Sequence, residues 1–166
     1  VNSYLYTHSS GVRVLLAPQS PEFAELVKPT HVNAIIDAVK DSYDYIIFDL
    51  GPTLDDCVLQ ALELSDTVYF IITPEISTLK NAKNCMNVLN TLELSKKVKF
   101  ILNKDGDSYV KKKDVESTLD EDIELVISSD PKTTIASINR GVPIVIASPK
   151  SKVGKEIIRF VNRDEI

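Results

Sequence analysis

The sequence predicts a three-layer α/β fold, a mainly parallel sheet with helices on both faces. Three observations lead there. Short apolar runs alternate with segments of helical period along the whole chain. Successive runs are separated by single helices, which forces parallel pairing through right-handed crossovers. The apolar content is aliphatic, 43% hydrophobic with only 7% aromatic and no Trp, which suits strands buried on both faces.

Val12–Ala17 reads as a first strand, stopped by Pro18. Pro29 opens a helix whose Val32, Ile35, Ile36 and Val39 share one face. Tyr45–Leu50 is apolar almost throughout and is the strongest candidate strand; a short helix with Val58, Ala61 and Leu62 follows Gly51-Pro52. Thr67–Thr73 is the next strand, leading to a long helix with a stripe of Ile76, Leu79, Ala82, Met86 and Leu89. Val98–Asn103 reads as a strand running into the polar loop Lys104–Asp107, then a helix with Val115 and Leu119 and a short strand at Leu125–Ile127. Asp130 is placed to cap a helix with Pro131 at its first position and Gly141 past its end. Ser151 is placed to cap a last helix bearing Val153, Ile157 and Val161. With no repeat, low-complexity run or linker, residues 1–166 read as a single domain.

Charge and composition exclude several classes. A net charge of −5 argues against a chain that coats nucleic acid. Cys57 and Cys85 share no metal-ligand spacing with each other or with His8 and His31, so neither a disulfide framework nor a zinc site is expected, and a reducing cytosol fits. No run approaches the roughly 18 apolar residues of a membrane span, and no signal peptide is visible. The chain opens at Val1, without Met, inside a polar segment, and reads as a piece of a longer protein.

In a parallel sheet the ligand sits at the carboxyl ends of the strands, which directs attention to the residues around Pro18, Asp49, Thr73, Asn103 and Ser128. Asp49 ends a hydrophobic run and precedes Leu-Gly-Pro-Thr. A carboxylate there suits a Mg²⁺–nucleotide site, its oxygen facing metal-bound water and phosphate. On Asp49 alone, a strand-terminal carboxylate that caps its own loop reads equally well.

The surrounding residues carry a resemblance. Tyr43-Asp44-Tyr45-Ile46-Ile47-Phe48-Asp49-Leu50-Gly51-Pro52 resembles the Walker B and switch II segment of the ParA/MinD family of deviant-Walker ATPases. Ala61–Val68 looks like that family's turn into the next strand, and Thr73–Ala82 like its post-strand loop and helix. Ile101-Leu102-Asn103-Lys104 and Ile138-Asn139-Arg140-Gly141-Val142-Pro143 resemble two further family segments. Ser10–Pro18, with Pro21-Glu22 and Ala24-Glu25, looks most like the pilus-assembly branch, CpaE/TadZ.

The resemblance implies a P-loop NTPase-like fold whose N-terminal part is missing, the C-terminal part of an ATPase that positions a cell-envelope assembly, such as Tad-type pilus or secretion machinery. It implies Asp49 as the Walker B carboxylate, holding Mg²⁺ through water and poising the loop Gly51–Asp56. Asn103 would read the adenine edge with an amide that offers donor and acceptor side by side. Ser128, Ser129 and Asp130 would close over the other side of the base, although simple helix capping is the preferred reading of that stretch. ATP and Mg²⁺ are the implied cofactors of the parent protein, with none bound by this chain alone. The implied partners are a second copy of the parent and pilus or secretion proteins. Nucleic acid gives no strong signal, membrane contact is at most peripheral, and the implied location is the cytoplasm, with recruitment to the inner membrane face or a cell pole.

This sequence departs from the family pattern in three places. Its five glycines never form G-x-x-x-x-G-K-[ST]; Gly154-Lys155 is followed by Glu156 on a helix. Gly51 and Ser128 stand where the family uses Pro. Val153–Arg163 sets Lys155, Arg159 and Arg163 opposite an apolar stripe, which resembles an amphipathic membrane anchor; a helix docked on its own sheet has the same pattern and is preferred. Lys111–Lys113 beside Asp120–Asp122 reads as a solvated face.

Two rivals come from other classes. A phospho-receiver domain would use Asp49, Thr73 and Lys104, but no acidic pair follows Val12–Ala17 to complete its metal cage. A catalytically inactive, ATPase-like scaffold is favoured by the missing phosphate loop, Gly51 and Ser128. A G-protein reading fails, because Asn103-Lys104-Asp105-Gly106 has no Asp at the fourth place.

Overall fold

The computed structural model describes residues 2–18 and 20–163; Val1, where the chain opens, Gln19 and residues 164–166 lie outside them. The chain forms two compact units, residues 1–66 and 67–166.

The first unit begins with an antiparallel hairpin of β1 (Tyr6–Thr7) and β2 (Arg13–Val14), with Tyr6 opposite Val14. Gly11 makes the turn possible at φ 92, a left-handed value open to glycine, and donates its N–H to the His8 carbonyl at 2.9 Å. Three helices follow, α1 (Pro21–Ala24), α2 (Pro29–Val39) and α3 (Asp56–Leu64). Pro29 occupies the first turn of α2, where its missing N–H costs nothing. Asp55 caps α3 by accepting from the N–H groups of Cys57 and Val58, each at 2.9 Å. Packing of α2 on α3 accompanies the burial of Val39, Ala61 and Leu62.

Two strand expectations are corrected here. The run 12–17 yields only the two residues of β2, in an antiparallel pair, and Leu16 beyond it is 69% exposed. Residues 45–50 carry no ladder, and Tyr45 and Ile47 are 80% and 88% exposed rather than buried on both faces. The reason is physical: a strand is a property of a pair. Apolar content reports a capacity for burial, but the neighbour that supplies the hydrogen bonds is not encoded in the run itself.

The second unit is built on a parallel sheet in the order β3 (Val68–Ile72), β4 (Val98–Asp105), β5 (Ile123–Ser128). Val68 pairs with Val98 and Ile72 with Leu102. On the other side Leu102 pairs with Val126 and Asp105 with Ser128, with register shifts after Phe100 and after Leu102. Helices α4 (Ile76–Thr91), α5 (Lys112–Leu119), α6 (Pro131–Arg140), α7 (Ile144–Ala147) and α8 (Lys152–Arg163) complete the unit. The sheet is flanked by helices, an α/β architecture: α4 packs on β3 and α5, and α8 packs on β5.

The core is aliphatic, as expected. Ile72, Leu89, Phe100, Leu102 and Val115 are almost fully buried, and Phe70 lies beside Phe100 with ring centroids 5.4 Å apart. Leu79, Ala82, Met86 and Leu89 form the buried stripe of α4, whereas Ile76 is 77% exposed because it opens the helix ahead of the packed turns. Gly141 ends α6 at φ 62, the left-handed position that favours glycine.

Gly154 is buried in the first turn of α8, and a Cβ on it would lie 2.5 Å from the Ser148 carbonyl oxygen and 3.2 Å from Pro149 Cα. The helix therefore starts against backbone that has no freedom to give way. Gly154→Ala should destabilise the fold by about 1–3 kcal/mol. Gly51→Ala, where a Cβ would meet nothing within 4 Å, should stay within about 0.5 kcal/mol. Urea midpoints of the two variants check this, and equal midpoints would remove the close approach as a constraint.

Candidate functional site

Because β3, β4 and β5 run parallel, their carboxyl ends lie on one edge of the sheet. Three loops leave that edge, and hydrogen bonds tie them together. After β3, the hydroxyls of Thr73 and Thr78 are 3.1 Å apart, and Ser108 Oγ, from the loop after β4, donates to the Pro74 carbonyl at 2.8 Å. After β5, the Ser129 N–H donates to the Asp105 carbonyl at 2.6 Å. Gly106 sits so near that a Cβ on it would lie 3.2 Å from Ser129 Cβ.

Asn103 is half-buried near the end of β4, which runs on through Lys104 and Asp105 rather than stopping at Asn103 as expected, because Asp105 pairs with Ser128 of β5. Its Oδ1 accepts the Lys104 N–H at 2.9 Å, with Lys104 in the left-handed region at φ 59. Its amide NH₂ makes no hydrogen bond among the described residues. The strand end thus presents a positioned, unused donor pair.

Ser128 ends β5 and is doubly held by the Glu156 carboxylate of α8: its N–H donates at 2.8 Å and its Oγ at 2.7 Å. Asp130 caps α6, its carboxylate accepting the Thr133 N–H at 3.1 Å while its carbonyl accepts from Thr134 Oγ1 at 2.8 Å. The Thr133 hydroxyl and N–H hold the Asp130 carboxyl below the usual carboxylate range. The capping reading of Asp130 is thereby seen directly. Three consecutive residues, Ser128, Ser129 and Asp130, are fixed by α8, β4 and α6 in turn.

Asp49 lies exposed in the other unit, within the unpaired segment 45–50. The structure thus brings the carboxyl end of β4, with Gly106 after it, and the 128–130 segment together within one unit, while Asp49 belongs to residues 1–66. Of the acidic residues in the following loop, Asp55 is committed to capping α3. Among the described residues no group of three or more His, Cys, Asp or Glu is arranged to hold a metal. Both cysteines are free thiols, and burial pushes the Cys85 thiol up. No helix among the described residues is long and apolar enough to cross a membrane.

Glu156 is the functional candidate that sequence reasoning missed. Its partner Ser128 is 28 residues away, beyond any local pattern. A cue did exist: Glu156 falls at the helical spacing of Val153, Ile157 and Phe160, on the apolar stripe, where a carboxylate needs a partner.

Residues 12–102 match the AAA domain family. A putative septum site-determining protein MinD of Emiliania huxleyi is 24% identical over 142 residues, 82% of this chain and 52% of that protein. MinD of Thermotoga maritima is 25% identical over 146 residues, 84% of this chain and 53% of that protein. The chain spans about half the length of these curated relatives. A solved ParA family ATPase from Chlorobium tepidum TLS superposes with a TM-score of 0.90 at 23% identity, over 97% of this chain and 67% of that one. MinD of Pyrococcus horikoshii OT3, solved in complex with Mg-ADP, gives 0.83 at 23% identity, over 98% and 68%. These likenesses establish the fold.

Because the Asp130 carboxyl is depressed, its contribution is fully present above the ordinary carboxylate range and is lost as pH falls through the lower folded value. Asp130→Ala should melt a few degrees below the parent near neutral pH, and the gap should close in acid; Asp130→Asn should cap nearly as well. Melting curves across pH test this, and a gap that persists unchanged into strong acid would contradict it.

Proposed function

The chain belongs to the AAA domain family, with a ParA/MinD-type P-loop ATPase fold, and from that premise we propose that it is the C-terminal part of a Mg-ATP-dependent positioning ATPase. The observation that supports this most is the tied edge of the second unit. Asn103, two residues before the end of the central strand, has an unused amide NH₂, and the 2.6 Å bond from Ser129 N–H to the Asp105 carbonyl holds the 128–130 segment against that strand's end. In this reading the two loops flank adenine, and Asn103 reads its edge. Asp49 holds Mg²⁺ through water, and the triphosphate is cradled by a Gly-rich loop in a segment preceding Val1. Residues 1–166 then form one domain with that segment.

The finer reading is an ATPase of the CpaE/TadZ branch, dimeric, that helps place Tad-type pilus or secretion machinery. It would work in the cytoplasm and be recruited to the inner membrane face or a cell pole. A chain that lacks the Gly-rich loop cannot assemble the backbone N–H cradle that supplies most triphosphate affinity. In this reading ATP and Mg²⁺ are ligands of the longer protein.

In that full-length protein, Asp49→Ala should cut Mg²⁺-dependent ATP turnover by about 10–100-fold, as for other groups that act on a metal through water, with a smaller change in ATP affinity. Phosphate release and calorimetric titration separate the two. Equal turnover would end the metal role of Asp49, and tight ATP binding with no turnover in the wild type would favour the inactive scaffold. Asn103→Ala should relax adenine-over-guanine preference by about 1–3 kcal/mol in nucleotide competition; an unchanged preference would take Asn103 out of the site.

A further inference from the structure

We propose that Glu156 fixes Ser128 as a hydrogen-bond acceptor toward the ligand and so makes the 128–130 loop select a base bearing an amino group over one bearing a carbonyl at the same place. The inference rests on the reading of Asn103 as the base contact and extends it to a second, independent selector.

A serine hydroxyl is ambivalent, with one donor and two acceptor sites, and its proton turns to suit whatever it meets. At Ser128 that freedom is gone. The Glu156 carboxylate is acceptor-only when ionised, and it takes both the Ser128 N–H at 2.8 Å and the Ser128 O–H at 2.7 Å. The hydroxyl proton is committed to Glu156, and what the oxygen has left are lone pairs, made more basic by donating to a charge. Ser128 is half-buried, so part of its surface stays open. Adenine carries an exocyclic amine, a donor; guanine carries a carbonyl oxygen at that position, an acceptor that would face lone pairs.

The placement is rigid. Ser128 sits at the ladder end, paired with Asp105; its neighbours Ser129 and Asp130 are held by the Asp105 carbonyl and by capping of α6. Glu156 is held in turn by a helix whose Val153 and Gly154 are buried and whose Phe160 ring meets Tyr69 edge-on at 5.6 Å between centroids. The clasp gives this chain a fixed polar selector at the end of β5.

The test is the full-length protein with Glu156→Gln. The amide keeps the clasp but reverses its polarity: its oxygen accepts the Ser128 N–H, its NH₂ donates to Ser128 Oγ, and the hydroxyl proton is released toward the ligand. The ratio of ATP to GTP affinity should fall about tenfold, the scale of one hydrogen bond turned from made to opposed. Affinity for tripolyphosphate, which has no base, and the melting temperature should stay near wild type. Ser128→Ala, which deletes the selector without burying a charge, should lower the same ratio. If Asn103→Ala changes the ratio while Glu156→Gln and Ser128→Ala leave it within about twofold, this inference falls and the base site stands. If Glu156→Gln weakens ATP, GTP and tripolyphosphate alike, Glu156 acts on the fold and the inference also falls. If none of the three variants moves the ratio, the base-site reading fails and takes this inference with it.

Discussion

The two parallel ladders of β4 are the constraint on which residues 67–166 depend. β4 is bonded to β3 on one side and β5 on the other, and its Phe100 and Leu102 are almost completely removed from water. Burial of side chains of that size is worth about 1.5–3 kcal/mol each. Parallel pairing has a geometric consequence as well: all three strands end on the same edge, so the loops that follow them converge. Shorten or misregister β4, and Ser108 and Ser129 no longer meet the partners that tie those loops together.

What the converging edge offers is recognition and orientation. Its polar groups pair across the loops: Ser108 with the Pro74 carbonyl, the Ser129 N–H with the Asp105 carbonyl, and Ser128 with Glu156. Most members are committed to each other, which leaves few groups for a ligand and makes those few well positioned, the condition under which binding costs least in ordering. Among the described residues this edge has no metal cage. The chemistry of a nucleotide's phosphates, in the proposed reading, belongs to Asp49 and to a Gly-rich loop outside these residues.

Legibility in the sequence follows the range of the interaction. The caps of α6 and α8 are local, and Asp130, Pro131, Gly141 and Ser151 stand where the residue pattern placed them. The strands expected at 67–73, 98–103 and 125–127 form at 68–72, 98–105 and 123–128, readable because each apolar run lies between helices and finds its partner one crossover away. The run 45–50 looked the same and pairs with nothing among the described residues. Apolarity was right about its character and silent about its neighbour. The Ser128–Glu156 clasp was illegible for a related reason: capping is enforced by backbone N–H groups that every helix start exposes, whereas a carboxylate's choice of a serine 28 residues away depends on how α8 lands on β5.

The most direct test of the account is a crystal structure of the full-length protein with Mg-ADP. The account predicts the adenine edge within about 3 Å of the Asn103 side-chain amide, with the 128–130 loop against the other side of the base. Adenine seated elsewhere, with Asn103 turned to solvent and the 128–130 loop empty, would contradict it.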